Sequence, residues 1–102
     1  MAKANETIHQ SVRLRIMAAL CAVEPGDGGL DFTQLKSMTG ATDGNLGSHL
    51  DTLARAGYVS VEKSSVNRKP KTSVTATRAG RRAFADHVAF LRDVIAGNSD
   101  SE

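Results

Sequence analysis

Apolar residues recur at helical spacing at both ends of the chain. In residues 7–23 one stripe repeats every four positions from Ile8 to Leu20, and a second apolar face lies beside it. Residues 78–96 show the same doubled pattern. Because a helix that is apolar on more than one side packs against two partners, we expect one face of each terminal helix in the core and the other against a second subunit. The residues predicted for this interface are Ile8, Val12, Leu14, Met17, Cys21, His87, Phe90, Leu91, Val94 and Ile95.

Two shorter helical patterns occupy the middle of the chain. Residues 32–38 place three apolar side chains at helical spacing after Asp31, which can cap the helix. Residues 42–56 carry three leucines in one stripe, and Thr42 is placed to cap this second helix. A short turn that contains a glycine separates the two patterns. Two short helices joined in this way constitute a helix-turn-helix.

After the second central helix the apolar period changes to two, which indicates strands. We predict strands over residues 58–63 and 72–77, and a very short strand at residues 30–31. A basic tip, residues 64–71, joins the two longer strands, and Pro70 within it fixes its own backbone φ and stiffens the arm. The predicted fold is therefore mainly α with a small antiparallel β-wing.

The length of 102 residues and the 40% apolar content predict one domain, residues 7–97, with flexible ends at residues 1–6 and 98–102. Cys21 is the only cysteine, which excludes an intramolecular disulfide framework. No apolar run approaches the roughly 18 residues of a membrane span, and no signal peptide is visible. We therefore expect a cytoplasmic protein that does not enter a membrane.

The formal charge of +2 is distributed unevenly along the chain. Residues 45–82 contain eight basic side chains and two acidic ones, a local charge of +6, so the remainder carries −4. This asymmetry suggests a polyanionic partner for the basic part. Arg81 and Arg82 stand near the positive end of the last helix dipole, which also suggests an anion outside the chain.

The face of residues 42–56 that lies opposite the leucines is small and polar. Gly44 and Gly47 cost about 1 kcal/mol each in helix propensity, and a helix that lies close against another surface would explain them. Asn45 can bridge N6 and N7 of adenine, and Ser48 is a versatile groove contact. The predicted DNA contacts are Thr42, Gly44, Asn45, Gly47, Ser48, His49, Thr52 and Arg55 from this helix and Arg68, Lys69, Lys71 and Thr72 from the wing.

Four segments together resemble small stand-alone winged-helix transcriptional regulators of the broad MarR/ArsR-like group: residues 12–20, 32–63 and 68–84 and the trailing helix. The resemblance implies the winged helix-turn-helix order α-β-α-α-β-β-α with a C-terminal dimerisation helix. It also implies a homodimer that binds double-stranded DNA at a palindromic operator. Residues 42–56 would then enter the major groove, and the wing, residues 64–72, would lie on the backbone or minor groove.

Two other classes of function fit the same fold. A winged helix can be a protein-docking module, although such a module would not need the local charge of +6. An ArsR-like sensor of a metal or small ligand is the other alternative, but His9, His49, His87 and Cys21 lack ligand-like spacing. We therefore predict no metal and no cofactor. The chain has no glycine-rich phosphate loop, nucleophile elbow or paired carboxylates, so we predict that it is not an enzyme.

Overall fold

The computed structural model describes residues 3–97 and places five helices and three strands within them. The predicted mainly α architecture with a small antiparallel β-wing is confirmed. In chain order the elements are α1 (Glu6–His9), α2 (Ser11–Cys21), β1 (Leu30–Asp31), α3 (Phe32–Thr39), α4 (Asp43–Arg55), β2 (Val59–Val66), β3 (Lys69–Ala76) and α5 (Arg78–Ala96).

The prediction of one continuous helix over residues 7–23 is wrong, because the chain breaks at Gln10. The backbone of Gln10 is extended, with ψ at 135°, and its side-chain oxygen accepts from the N–H groups of Val12 and Arg13 at 2.8 and 3.0 Å. Gln10 therefore ends α1 and caps α2. The apolar spacing of four continues across the break, which is why the pattern did not reveal it.

The predicted flexible N-terminus is wrong for Asn5 and Glu6. Asn5 caps α1 by accepting from the N–H of Ile8 at 3.0 Å, and its side-chain N–H group donates to the hydroxyl of Tyr58 at 3.0 Å. Glu6 begins α1. Residues 3 and 4 precede α1 and belong to no helix or strand, and the other ends for which flexibility was predicted, residues 1–2 and 98–102, lie outside the described residues.

The helices α3, α4 and α5 begin at the predicted caps. Asp31 forms a capping box with Gln34, Thr42 accepts from Asn45 N–H, and Thr77 accepts from Gly80 N–H. Satisfying these free N–H groups is what fixes each start. Each of these helices therefore begins directly after a short polar side chain that accepts a hydrogen bond from an N–H group of the first turn.

The two strands of the wing are longer, and the turn between them is shorter, than the sequence predicted. β2 and β3 pair from Val59–Ala76 out to Val66–Lys69, and the predicted eight-residue tip reduces to a turn of two residues, Asn67 and Arg68, with φ of 53° and 64°. Positive φ at both central residues is the geometry of a turn that matches strand twist. Pro70 fits because it occupies the second pair from the turn, where the residues exchange no ladder hydrogen bond.

The sheet has the order β1-β3-β2 and covers the helices on one side. Val59 and Val74 contribute the buried side chains of β2 and β3 to the core. The helical part of this core consists of Ile8, Ile16, Met17, Ala19, Leu20, Leu35, Leu46, Leu50 and Leu53.

The last helix, α5, contributes little to this core although it is 19 residues long. Its only buried residues are Gly80 and His87. A Cβ at Gly80 would lie 2.0 Å from the carbonyl oxygen of Tyr58, so the glycine allows α5 to start in close contact with the chain before β2. The C-terminal half of α5 therefore has apolar side chains, Val94 and Ile95, that the described residues leave exposed.

Candidate nucleic-acid interface

The helix α4 presents an open polar face. Leu46, Leu50 and Leu53 are at most 4% exposed and hold the helix on the core. On the opposite side the side chains are exposed or half-buried, and they are small or polar: Gly44, Asn45, Ser48, Thr52 and Arg55. This face of α4 is therefore available to a partner along its length.

The two glycines of α4 have no structural purpose within the described chain. A Cβ added at Gly44 or Gly47 would meet no atom of the described residues within 4 Å. Neither glycine is among those with positive φ, so neither is needed for backbone conformation. Nothing in the described residues therefore requires these two residues of poor helix propensity.

One flank of α4 faces the wing across a groove of about 330 Å³. Gly47 and Asp51 line it from α4, and Lys63 and Thr72 line it from the hairpin. The predicted contacts Gly47 and Thr72 thus lie beside the outer face of α4 and line the same groove from opposite sides.

The other flank of α4 is held by α2 through one hydrogen bond. Nη1 of Arg13 lies 3.0 Å from Nδ1 of His49. Because a guanidinium can only donate, Nδ1 of His49 accepts, and the hydrogen of the neutral ring is on Nε2. Burial and the neighbouring Arg13 charge both lower the pKa of His49, so its neutral form is favoured.

Sequence patterns missed Arg13 as part of this site. It lies 36 positions from His49, and its own helix gave only an apolar signal. The guanidinium is held by two hydrogen bonds, because its Nε also donates to the carbonyl oxygen of Thr7. No local spacing could have shown this contact.

Acidic side chains near the outer face of α4 are paired with bases. Oδ1 of Asp43 lies 2.7 Å from Nζ of Lys36, and Asp51 lies 3.3 Å from Arg55 one turn later. Both pairs are largely exposed, and exposed pairs of this kind contribute only about 0.2–1 kcal/mol. Arg55 can therefore exchange Asp51 for a phosphate at little energetic cost.

The tip of the wing is basic and fully accessible. Arg68, Lys69 and Lys71 are exposed, while Thr72 is half-buried. With eight residues in each strand, the hairpin reaches about 25 Å from its base. It brings basic side chains to a place that neither α4 nor the core could reach.

Comparison with known protein families decides the class of this fold. Residues 12–95 match the winged helix DNA-binding domain. The chain belongs to this winged-helix family. The predicted resemblance to winged-helix regulators is thereby confirmed.

Similar proteins support the assignment to the winged-helix family. An uncharacterised protein of Methanocaldococcus jannaschii is 36% identical over 77 residues, which cover 76% of this chain and 79% of that protein. The structure of a transcriptional regulator homologue from Pyrococcus horikoshii superposes with a TM-score of 0.80 at 31% identity, covering 91% of this chain and 88% of that one. A MarR family transcriptional regulator from Silicibacter pomeroyi shares the fold, with a TM-score of 0.68 at 24% identity over 93% of this chain and 62% of that one.

The residues predicted for a dimer interface fall into three groups in this winged-helix domain. Ile8, Met17 and His87 are fully buried within the chain, so their prediction as interface residues is wrong. Val94 and Ile95 are 47% and 85% exposed. The half-buried remainder consists of Val12, Leu14, Cys21, Phe90 and Leu91. A doubled apolar pattern shows that two faces exist but not which of them the core takes.

Arg81 does not indicate an outside anion, contrary to the sequence-based suggestion. Its guanidinium donates to the carbonyl oxygens of Cys21 and Val23 at 3.3 and 2.7 Å, at the end of α2. The charge therefore binds the negative end of a helix within the winged-helix domain. Burial raises the pKa of the Cys21 thiol, and Arg81 lowers it to a smaller extent.

Among residues 3–97, which the structure describes, no helix is long and apolar enough to cross a membrane. The same residues contain no group of three or more His, Cys, Asp or Glu side chains that could hold a metal ion.

Proposed function

We propose that this winged-helix protein is a transcriptional regulator that binds double-stranded DNA sequence-specifically as a homodimer. Helix α4 would enter the major groove, and the tip of the wing would lie on the backbone or in the minor groove. The observation that carries the proposal is a pair of glycines that no contact within the described residues requires, Gly44 on the outer face of α4 and Gly47 on its flank, which leave room for close approach. The similarity to a transcriptional regulator homologue from Pyrococcus horikoshii agrees with it.

Sequence would be read from the first turns of α4. Asn45 and Ser48 are exposed there, beside Gly44, which brings the backbone close to base edges. An Asn side chain can donate to N7 and accept from N6 of adenine in a bidentate pair. Thr52 donates its hydroxyl to the carbonyl oxygen of Ser48 at 3.2 Å, so it would act as an acceptor toward DNA. These side chains supply the donors and acceptors of direct readout.

Dimerisation would use α5 and the half-buried side chains of α2. Val94 and Ile95 are exposed, and Leu91 is half-buried, on a helix with only two buried residues. Isolated exposed apolar residues need no partner, whereas a contiguous apolar patch marks an interaction site. A twofold dimer built on this face would present two copies of α4 and so require a palindromic operator.

Recovery of bound sequences from randomised duplex DNA tests the proposal directly. We expect an enriched inverted repeat with half-sites about one helical turn apart. Enrichment of a single, unrepeated half-site would contradict the dimer alone. Recovery of no sequence, with binding equal for all duplexes, would contradict sequence-specific recognition and favour the protein-docking alternative or non-specific binding.

The wing is expected to contribute affinity without specificity. The double variant Arg68→Ala, Lys69→Ala should flatten the slope of log K against log salt by about one to two units, because each phosphate contact on duplex DNA contributes about −0.9. Operator and random duplexes should weaken alike. The measurement is a salt series of fluorescence anisotropy titrations.

Arg92→Ala is the control for the wing variant, because it removes an exposed charge from α5. It should leave the slope unchanged. An unchanged slope in the wing variant as well would mean that the tip of the hairpin is only solvated.

We expect His49, in its neutral form, to donate a hydrogen bond to a phosphate of the DNA. Its Nε2 carries the hydrogen because Arg13 occupies Nδ1. His49→Ala should therefore weaken operator and random duplexes alike, by about 1 kcal/mol, while the salt slope at about pH 7.5 stays the same because no charge is lost. The same anisotropy series measures both quantities.

Arg13→Ala tests the support of this donor. It should weaken DNA binding as His49→Ala does, and the double variant should lose little more than either single variant, because the two side chains act as one unit. Full additivity would show that His49 does not depend on Arg13.

A further inference from the structure

His87 is held on both ring nitrogens. It is the one histidine fully buried among the described residues. Its Nδ1 accepts from the backbone N–H of Asn5 at 3.0 Å, and its Nε2 lies 3.2 Å from Nδ1 of His9. Phe90 stacks on the ring at a centroid distance of 5.7 Å. Helix α5 is thereby joined to the N-terminal segment Asn5–His9.

The hydrogen positions of this pair follow from its donors. A backbone N–H can only donate, so Nδ1 of His87 is unprotonated and its hydrogen is on Nε2. That hydrogen donates to Nδ1 of His9, which must also be unprotonated. Both bonds are therefore made only when both rings are neutral.

A second proton on either ring breaks one of the two bonds. On His87 it would occupy Nδ1 and oppose the N–H of Asn5. On His9 it would occupy Nδ1 and oppose the Nε2–H of His87. Because His87 has no exposed surface, the group left without a partner could not be satisfied by water without local opening.

We propose that His9 and His87 form a pH-sensitive latch, which holds the segment Asn5–His9 on α5 while both rings are neutral and releases it when either ring takes up a proton. The ligand of this switch is the proton itself. Arg13, which supports His49 at the DNA-binding face, also contacts this segment through the carbonyl oxygen of Thr7.

The charged and titratable groups around the latch favour the neutral state overall. Burial and then the charge of His9 lower the pKa of His87, and Glu6 on α1 raises it to a smaller extent. On α5 the adjacent Asp86 is exposed. Two further neighbours make hydrogen bonds to other groups than the two rings of the latch. Arg13 of α2 donates to the carbonyl oxygen of Thr7 and to His49, and the hydroxyl of Tyr58 accepts from the side chain of Asn5.

The sign of the pH effect follows from the lowered pKa of His87. The unfolded chain, in which the histidine pKa is about 6.5, binds more protons in acid than the folded chain does. The stability that the latch contributes is thus complete above about pH 6.5 and is lost as the pH falls toward the lower pKa of the folded state.

Release of the latch would reach beyond the two histidines. Asn5 also caps α1 through the N–H of Ile8, and Ile8 is fully buried. Loss of the Asn5 contact therefore frees the first helix and one core side chain beside α5. On the proposed function, this loosening lies next to the dimer face and would weaken the dimer in acid.

The test begins with the free protein and needs no DNA. Long-range ¹H–¹⁵N NMR of the imidazole rings at about pH 7.5 should show His9 and His87 with the hydrogen on Nε2. Lowering the pH to about 5.5 should reduce the hydrogen-exchange protection of the Asn5 amide and of the α1 amides, taken relative to the intrinsic exchange rate at each pH, well before the protection of α4 falls. A hydrogen on Nδ1 of His87, or protection of the Asn5 amide that does not change with pH, would overturn the latch.

The double variant His9→Asn, His87→Asn provides the second arm, since Oδ1 of asparagine can take the acceptor position of Nδ1 without a site for a proton. The urea midpoint of the parent should fall between about pH 7.5 and 5.5, and that fall should be largely abolished in the double variant. His49→Asn is the control and should keep most of the fall. Equal falls in parent and double variant would refute the latch, and if the double variant does not fold, the ring hydrogens of the parent decide. Because the proposed function is tested by DNA binding at neutral pH, either idea can fail without the other.

Discussion

Ile95→Glu is expected to convert the proposed dimer into a monomer without unfolding the chain. Ile95 is 85% exposed in the single chain, so it contributes almost nothing to the core. A glutamate there would place a charge in the apolar patch formed with Leu91 and Val94 on α5. Light scattering at micromolar concentration should report 10.8 kDa for the variant and twice that mass for the parent. Affinity for the operator should fall about 10²–10⁴-fold, because the two half-sites are no longer bound by one particle.

Ala89→Glu supplies the matched control for the dimer variant. Ala89 is exposed on another face of α5, and the change introduces the same residue. It should leave both mass and operator affinity near those of the parent. A parent chain that is monomeric at micromolar concentration, or an Ile95→Glu variant that remains dimeric, would place the interface elsewhere or remove it.

The features that the sequence predicted correctly are those that depend on residues close together in the chain. The helices α3, α4 and α5 start at Asp31, Thr42 and Thr77, because short polar side chains cap free N–H groups over a range of three residues. The leucine stripe of α4 was equally readable, since helical geometry alone puts these residues on one face.

Features that depend on contacts between distant residues were missed. The break between α1 and α2 depends on the side chain of Gln10, which accepts from N–H groups in the first turn of α2. The apolar spacing continues through the break. The length of the two wing strands depends on the pairing between them. This pairing makes polar residues such as Ser64 and Ser65 part of β2. Neither effect has a signature within one turn of helix or strand.

The candidate site was predicted in part for the same reason. Its outer face on α4 follows from helical periodicity, so the exposed positions of Asn45 and Ser48 on that face could be predicted from the sequence. Arg13 was not found, because only the packing of α2 against α4 brings it to His49. Apolar residues of the terminal helices could not be divided between core and surface, since Ile8 and Ile95 have the same chemistry and opposite exposure.

The glycines of α4 yield a prediction in which stability and DNA binding change in opposite directions. A side chain at Gly47 meets nothing within the described chain, so Gly47→Ala should raise the free energy of unfolding by about 1 kcal/mol through helix propensity. Gly47→Leu should also be at least as stable as the parent, because a Cβ at this position meets no atom of the described residues within 4 Å. Affinity for the operator should fall progressively from glycine to alanine to leucine, because the added side chain holds α4 away from the floor of the DNA major groove. Urea unfolding and anisotropy titrations measure the two quantities on the same samples.

Two further variants separate steric bulk from lost contacts. Asn45→Ala adds no bulk and should cost operator affinity about 1–3 kcal/mol, the usual worth of a bidentate base contact, while random duplexes bind nearly as before. Ala18→Leu adds bulk to an exposed position of α2 and should leave DNA binding unchanged. A Gly47→Leu protein that is more stable than the parent and binds the operator equally well would show that α4 does not enter the groove. The polar face of α4 would then belong to a protein partner rather than to DNA.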